Sequence, residues 1–514
     1  MKRNNINIKG AILFFVLILS TSCSDSFLDR PSEDTFDASN FYSSDAQLTA
    51  STSAMYGKIW APFFTKCFYA LSEVTSGNVW AAGDGTELMR FQASSESPLL
   101  YHAWGACFSV VAQSNNLINN LEASVGPKVS QSALENTLAE AHFMRGIAYF
   151  YIVRLWGEVP IIENNLDYVQ NPNINTNRIE DVYTLIIRDF QYAADHLSSR
   201  KRSKTDYGLN IRVSSGSAKA FLAKAYLYRK DYAKARALAE EVINSGEFAL
   251  MPNFADLYRI KNNNNEESIF SWQWKVTGGY QDSNLTNIQY GPDVLNEVNY
   301  GAVYIPSKDI INAFETDDKR RKATIMMDGD YYPELVYDGG VGFTCSKENG
   351  FLDATGALVK KYVVGKTSAE TGIQDEYGGT NACNYIMRYA ELLLIHAEAI
   401  MAGNPETTDA AALNSFNKVR ERAGLPAKTK ITHEDMIHER RIELAFEGEY
   451  WYDLCRLPAS EAISIMSQQD RSAWSNTPIY FTPTAADLIY PKPSNDVNKN
   501  PKLNEPAVPY VFKN

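Results

Sequence analysis

Cysteine is scarce: six in 514 residues. Cys23 lies in an N-terminal segment considered below. The others, Cys67, Cys107, Cys345, Cys383 and Cys455, are odd in number and contain no C-x-x-C pair. A disulfide framework or a zinc ribbon has nothing to build on, so the expectation is buried free thiols. Positive charge is also short, with 49 Lys and Arg against 61 Asp and Glu for a net charge of −12. That argues against nucleic acid or an anionic membrane surface as a partner and leaves room only for a local basic patch. Beyond the first twenty residues, no stretch is apolar for long enough to cross a bilayer.

The N-terminus supplies what the rest lacks. Lys2, Arg3 and Lys9 precede the apolar run AILFFVLIL, which is too short to span a membrane and has the form of a signal-peptide core. Small residues, Ser20-Thr21-Ser22, lead into Cys23. The layout resembles a lipoprotein signal in which Cys23 becomes the acylated first residue, although Ser20 stands where that motif has Leu. The expected division is a signal peptide at 1–22, a lipidated tether and N-terminal wrap at 23–44, and one body at 45–514.

Within that body the period is mostly helical. From Asp45 the pattern turns helical, and the stretches beginning SPLLYHAWG and ALENTLAEA each predict a long helix, the second ending at Gly157 and Pro160. LAKAYLYRKDYAKARALAEEVI (Leu222–Ile243) has the spacing of a tetratricopeptide hairpin. Small residues at Ala223 and Ala235 let two helices approach, and Tyr226 and Tyr232 fill the gap. A second copy runs from ELLLIHAEA to NKVRERAG, with Ala397, Ile400, Ala412, Phe416 and Val419 in equivalent places. Weaker pairs start near Gly146, with Asp181–Leu197 as partner, and near Ala46. Such hairpins cannot bury their faces alone, so at least three should stack. The fold class is mainly α: helical hairpins over 45–261 and 385–457, with a loop-rich insertion of short β-strands at 262–384. A Pro- and Asn-rich C-terminal wrap covers 475–514.

The segment ITHEDMIHERRIELAFEGEYWYDLCRL (431–457) begins almost like a zinc protease. His433 and His438 are five apart, however, about 140° round a helix, and cannot share one ion. Ile437, Arg441, Leu444, Gly448, Trp451 and Cys455 step by three and four, which predicts one core helix over 439–457 with Gly448 admitting a close neighbour. A buried Arg441 then needs a carboxylate or carbonyls, with Glu443, Glu447 or a residue elsewhere able to serve. The run TDDKRRK (Thr316–Lys322) reads as a solvated helix end.

RRIELAFEGEYWYDLCRL resembles the C-terminal signature of the SusD/RagB family of nutrient-binding outer-membrane lipoproteins. The likeness extends through Cys23 with FLDRP, AEAHFMRGIAYFYIVRLWGEVPII, RVSSGSAKAFLAKAYLY, PSKDIINAFETDDKRR, RYAELLLIHAEA and IYPKPSNDVNKNPKL. It implies about four tetratricopeptide-like hairpins, a loop-rich ligand face, a lipid-anchored place in the outer membrane, and a SusC-like TonB-dependent β-barrel transporter as partner. It implies no cofactor and no catalysis. The matching segments are scaffold, so the ligand chemistry must come from the irregular stretches.

Glycans present flat CH faces and hydroxyls, so their sites need aromatic rings with Asn, Asp or Arg nearby. Aromatics make up 12% of the chain, with 30 Tyr and 8 Trp. EVTSGNVWAAGDGTELMR offers Asn78, Trp80, Asp84 and Arg90. SWQWKVTGGYQDSNLTNIQYGPDVLNEVNYG offers Trp272, Trp274, Tyr280, Asp282, Asn284, Tyr290 and Tyr300. If SIFSWQWKV is a strand, Phe270, Trp272 and Trp274 share one face and at least one Trp belongs to the core. The ligand set is therefore Trp80, Tyr280 and Tyr290 as stacking rings, with Asn78, Asp84 and Trp274. The expected function is capture of an oligosaccharide and its delivery to the transporter. A peptide or glycopeptide ligand is the alternative within the family. A glycoside hydrolase, needing two placed carboxylates, is the rival from another class.

Overall fold

The computed structural model describes residues 42–276, 283–298, 303–351, 356–366, 377–473 and 475–512. Helical rods dominate it. The chain enters through α1 (Asp45–Ser51) and continues in irregular helical turns to Val74, including two π-helical stretches at Phe64–Phe68 and Ala70–Val74. Long helices follow: α2 (Pro98–Ser124), α3 (Gln131–Trp156), α4 (Ile179–His196), α5 (Ser215–Tyr228), α6 (Tyr232–Ser245), α7 (Tyr389–Met401) and α8 (Ala410–Arg422). Each packs on the next in that order, and α7 continues the stack from α6 although some 140 residues intervene. The hairpins expected from the sequence are these pairs, with the irregular entry segment set against α2.

Small residues set the spacing. Ala223, Ala235 and Ala239 of the α5–α6 pair are fully buried, as are Ala397, Ala412, Phe416 and Val419 of the α7–α8 pair. In α3, a Cβ on Gly146 would lie 2.7 Å from the Phe190 ring, so only glycine lets α4 come this close. The α5–α6 turn closes with Lys230 in the left-handed region and Asp231 capping the amide of Lys234. α3 stops at Gly157, whose amide returns to the Val153 carbonyl at 2.9 Å.

The helix expected over 439–457 is two helices. α9 (His433–Glu443) starts with a reciprocal capping box between Thr432 and Asp435. It ends before a turn at 444–449, after which α10 (Tyr450–Cys455) begins. Phe446 and Gly448 both take positive φ, +64° and +82°. A Cβ on Gly448 would stand 2.3 Å from the Phe68 ring. Close approach was the right reason for this glycine, but it occurs in a left-handed turn and not in a helix. Breaking the helix frees carbonyls that must be satisfied inside the protein. The Lys361 ammonium donates to the Ala445 carbonyl and the Tyr362 hydroxyl to that of Phe446, each at 2.7 Å. His433 lies 2.7 Å from the Glu461 carboxylate, and no metal-holding cluster occurs among the described residues.

The insertion carries short antiparallel pairs: β1 (Val79–Ala81) with β3 (Tyr304–Pro306), β2 (Ser268–Trp272) with β8 (Asn384–Arg388), β4 (Ile325–Met327) with β7 (Ala357–Val359), and β5 (Tyr331–Tyr337) with β6 (Gly340–Thr344). As expected for SIFSWQWKV, the Trp side chains join the core: Trp272 and Trp274 are both buried. β2 is buried at every position, and its register against β8 slips twice. Leu295, Ile305, Met326, Leu335, Phe343 and Leu358 form the centre of a small second core separate from the helical one. The C-terminal stretch lies along the N-terminal helices; the Tyr490 amide meets the Leu155 carbonyl and its hydroxyl that of Leu71. The five described cysteines are free thiols, four of them buried.

Trp451 is fully buried and its ring lies 5.7 Å from that of Tyr490. Trp451→Ala should lower unfolding free energy by about 3–5 kcal/mol, as large core truncations do. Chemical denaturation should show that loss, while the ligand affinity of the folded fraction stays unchanged.

Candidate ligand-binding face

Trp80 sits at the centre of β1, opposite Ile305 of β3. Val79 and Ala81 point inward and are buried, so the pleat turns Trp80 to the other side, where it is half-buried. Its ring packs against the edge of both cores. Behind it the backbone is pinned by buried polar groups. Ser307 donates its hydroxyl to the Gly77 carbonyl at 2.6 Å and its amide to that of Asn78 at 3.0 Å. Arg471 has no carboxylate partner among the described residues; its guanidinium donates to the carbonyls of Val74, Thr75 and Met89 and lies 4.3 Å above the Phe91 ring. Burial brings the Arg471 pKa down to about 9.

Two buried contacts tie this strand to the 439–457 segment. Asn78 donates to the Glu73 carboxylate at 2.9 Å and accepts from Arg441 Nε at 2.9 Å. The other Glu73 oxygen accepts the Gly448 amide at 2.6 Å. Arg441 also donates to Asp309 at 2.6 Å, so its partners come from other segments and not from Glu443 or Glu447. Burial pushes the Glu73 carboxyl up to about 7, against the pull of the Asn78 and Gly448 hydrogen bonds.

Of the expected ligand set, the members whose side chains are described do not form one surface: Asn78, Tyr290 and Trp274 are buried and Trp80 is half-buried. Asn78 is fully buried in the bridge just described; it holds Trp80 in place and is closed to a ligand. Tyr290 is 0% exposed, its ring 5.0 Å from Tyr69 and stacked 5.9 Å from Tyr362. With no open face it cannot stack on a sugar. Trp274 is 8% exposed, donates its indole N–H to Asn384 at 2.6 Å and lies 4.9 Å from the Phe64 ring. Trp272 is fully buried against Trp60, 5.0 Å away, and Asn284 bonds to Asn384 and the Ala382 carbonyl. Asp84 lies in the Gly83–Gly85 turn beside β1, but its side chain falls outside the described residues, as do Tyr280, Asp282, Tyr300 and Cys23. Arg90 is exposed at the end of the same loop.

Residues 190–510 match the SusD family, and residues 27–227 match the family described as starch-binding associating with outer membrane. The chain belongs to the SusD family. It is 32% identical to a SusD-like protein of Bacteroides ovatus, with 98% of each chain covered. It is 22% identical to the starch-binding protein SusD of Bacteroides thetaiotaomicron over 71% of this chain and 72% of that one. A crystal structure with xylogluco-oligosaccharide superposes with a TM-score of 0.81 at 31% identity, covering 91% of this chain and 100% of that chain. In this chain the Glu73–Gly448 and Asn78–Arg441 bridges fix a loop-borne strand to the helical body.

Glu73 generates a pH prediction. A carboxyl raised from 4.5 unfolded to about 7 folded binds its proton more tightly in the native state. Its contribution to stability is therefore greatest below pH 4.5 and declines as pH rises to about 7. Glu73→Gln cannot ionise, so the stability difference between wild type and variant should drift against the wild type across that window. Denaturant titrations at several pH values measure it; a constant difference would show that Glu73 ionises normally.

Proposed function

We propose that this SusD-family protein captures an oligosaccharide at the outer membrane and passes it, chemically unaltered, to a SusC-like TonB-dependent transporter. The carrying observation is Trp80: a half-buried indole on a strand whose backbone is locked from behind, beside a Gly-rich turn containing Asp84. A rigid, half-buried ring loses little entropy when a sugar's CH face stacks on it. The relative with xylogluco-oligosaccharide supports a carbohydrate ligand, and the family description supports a place at the outer membrane. No helix among the described residues is long and apolar enough to cross a membrane, so the proposed anchor is acylated Cys23.

The buried carboxylates most like catalytic groups, Glu73 and those of the 431–457 segment, do not favour a hydrolytic reading. Glu73 has the raised pKa wanted in a general acid, but it is fully buried and both oxygens are hydrogen-bonded. Glu439, Glu443 and Glu447 are buried against Arg and Lys side chains. Perturbed carboxyls here belong to the scaffold.

Trp80→Ala should weaken binding of a glycan selected on an array by about 1–3 kcal/mol with little change in melting temperature. Tyr290→Ala should show the reverse pattern, a lowered melt first. Calorimetric titration with product analysis after long incubation checks affinity and chemistry together; cleaved sugar would restore the hydrolase. Cys23→Ala should abolish acylation and release the protein from the membrane fraction in cells lacking the partner barrel, since a lipid chain is the proposed attachment. Retention of that variant on the membrane would overturn the anchor.

A further inference from the structure

The run TDDKRRK is not a solvated helix end, and its four cations have separate destinations. In the short helix Lys319–Thr324, Arg320 is fully buried and bonded to Asp318, Glu439 and Glu443. Arg321 pairs with Asp330. Lys319 and Lys322 are exposed, and neither forms an ion pair among the described residues. Both line a cavity of about 300 Å³ between this helix, β5 and the segment 360–364, at the lower end of the size range of ligand pockets.

That cavity is unlike the rest of the molecule in charge. Five cations line it from three segments, Arg259, Lys319, Lys322, Lys360 and Lys361, the last already paired with Glu447, and Glu334 is the one acid among its lining residues. Arg259 is held by Asp256 at 3.2 Å. Lys360, mostly buried, is only loosely matched: its ammonium is 3.5 Å from Glu334 and 3.3 Å from the Val363 carbonyl. By contrast Lys361, on the same cavity, meets Glu447 at 2.7 Å, and Lys224 in the helical interior meets Glu391 and Glu449 at 2.8 Å. The Lys322 and Lys360 ammoniums lie 5.5 and 5.2 Å from the centroid of the same Tyr332 ring, hence under 11 Å apart. Tyr332 lines the cavity, and Tyr331, 49% exposed, stands beside it. In a chain of net charge −12, this is a local basic, aromatic-edged pocket.

We infer that this pocket binds an acidic sugar residue, with a carboxylate or sulfate ester between Lys322, Lys360 and Lys319 and the ring of Tyr331 against the pyranose. The inference rests on the carbohydrate-capture reading and adds to it a second subsite selective for anionic glycans. Lysine ammoniums are point charges with freely turning donors, suited to a singly charged group approached from several directions, whereas a bidentate carboxylate clamp would call for Arg. Desolvation disfavours the charged form of Lys360 and lowers its pKa; a bound anion reverses that penalty, which Glu334 at 3.5 Å meets only in part. The wall of this pocket and the strand bearing Trp80 share the same small core, since Tyr332, Leu335 and Trp80 all pack on it.

The test uses the mature chain in calorimetric titrations with four probes: an oligogalacturonate, a sulfated galacto-oligosaccharide, inorganic phosphate, and the neutral oligosaccharide selected on the array. At least one acidic oligosaccharide should bind, more weakly as salt rises. Lys319→Ser/Lys322→Ser, which changes two exposed side chains, should weaken that binding about tenfold, the scale of one hydrogen bond to a charged group, and leave the neutral ligand unaffected. Lys360→Met should weaken it further. The inference is overturned if neither acidic oligosaccharide binds, if the double variant binds them as the wild type does, or if phosphate alone binds as tightly as the sugar. Loss of neutral-ligand binding in Trp80→Ala reports on the capture reading separately, so the two can fail independently.

Discussion

The structure depends on a buried cluster of guanidinium and carboxylate groups centred on Arg388 and Glu443. Arg388, fully buried at the end of β8, reaches Glu267 at 2.6 Å, Glu443 at 2.9 Å and Glu447 at 2.7 Å. Glu443 also receives Arg320 and Arg422, and Glu439 receives Arg320 and Arg420. Burial pushes the Glu443 carboxyl up, but three guanidiniums outweigh it and hold the group well below the usual carboxylate range. Desolvating this many charges costs heavily, and the attraction returns that cost only if every partner is present. Removing one leaves an unmatched buried charge, typically a loss of about 3–5 kcal/mol. The cluster therefore favours one arrangement of the segments that supply it: α8, α9, the 444–449 turn, β8, the 264–267 turn and the helix at 319–324.

A second cluster continues the first across α10. Lys224 of α5 meets Glu391 of α7 and Glu449, each at 2.8 Å; Arg154 of α3 meets Glu449 at 3.2 Å; Arg440 meets Asp453 at 2.8 Å. Through these contacts three of the stacked helices are tied to α10. The consequence reaches the outer face by short steps. Arg441 and Gly448 hold Asn78 and Glu73, and these hold the strand that carries Trp80. Trp80, the proposed ligand ring, is thus preorganised by buried charges, and the reactive-looking residues of the 431–457 segment act as its support.

What was legible in the sequence was what repeats. Ala223, Ala235, Ala397 and Ala412 recur at the spacing of helix hairpins, and all are fully buried where helices touch. The need of Arg441 for a partner was equally readable from its place in an apolar stripe. Which partner was not, because Asn78 and Asp309 lie far away in sequence and only the tertiary fold brings them near. The break at 444–449 left no mark in the period: Leu444, Gly448 and Trp451 keep helical spacing although the backbone between them turns left-handed. Tyr290 misled for a related reason. In a stretch rich in Asn and Gly an aromatic reads as surface, yet here it closes a cluster with Tyr69, Tyr304 and Tyr362 that has no local sequence signature.

Charge follows the same logic at larger scale. Many of the guanidiniums are drawn inward by carboxylates, as Arg145, Arg154, Arg320, Arg388, Arg440 and Arg441 are; each takes an acid inward with it, so pairing leaves the net charge of −12 unchanged, and a distant ion meets that charge at the protein's surface. A surface of that kind repels anions at long range, within the roughly 8–10 Å that physiological salt permits. Neutral sugars are indifferent to this field, and their hydroxyls exchange water for side chains at small net gain, so in the proposed function shape and ring stacking, with Trp80 the proposed ring, carry the selectivity. An acidic sugar would instead feel repulsion everywhere except where lysines outnumber carboxylates. On this chain the pocket beside Tyr331 and Tyr332 is the proposed place: Lys361 is matched by Glu447, but Lys322 and Lys360 lie over the Tyr332 ring and Lys360 is met by Glu334 only at 3.5 Å.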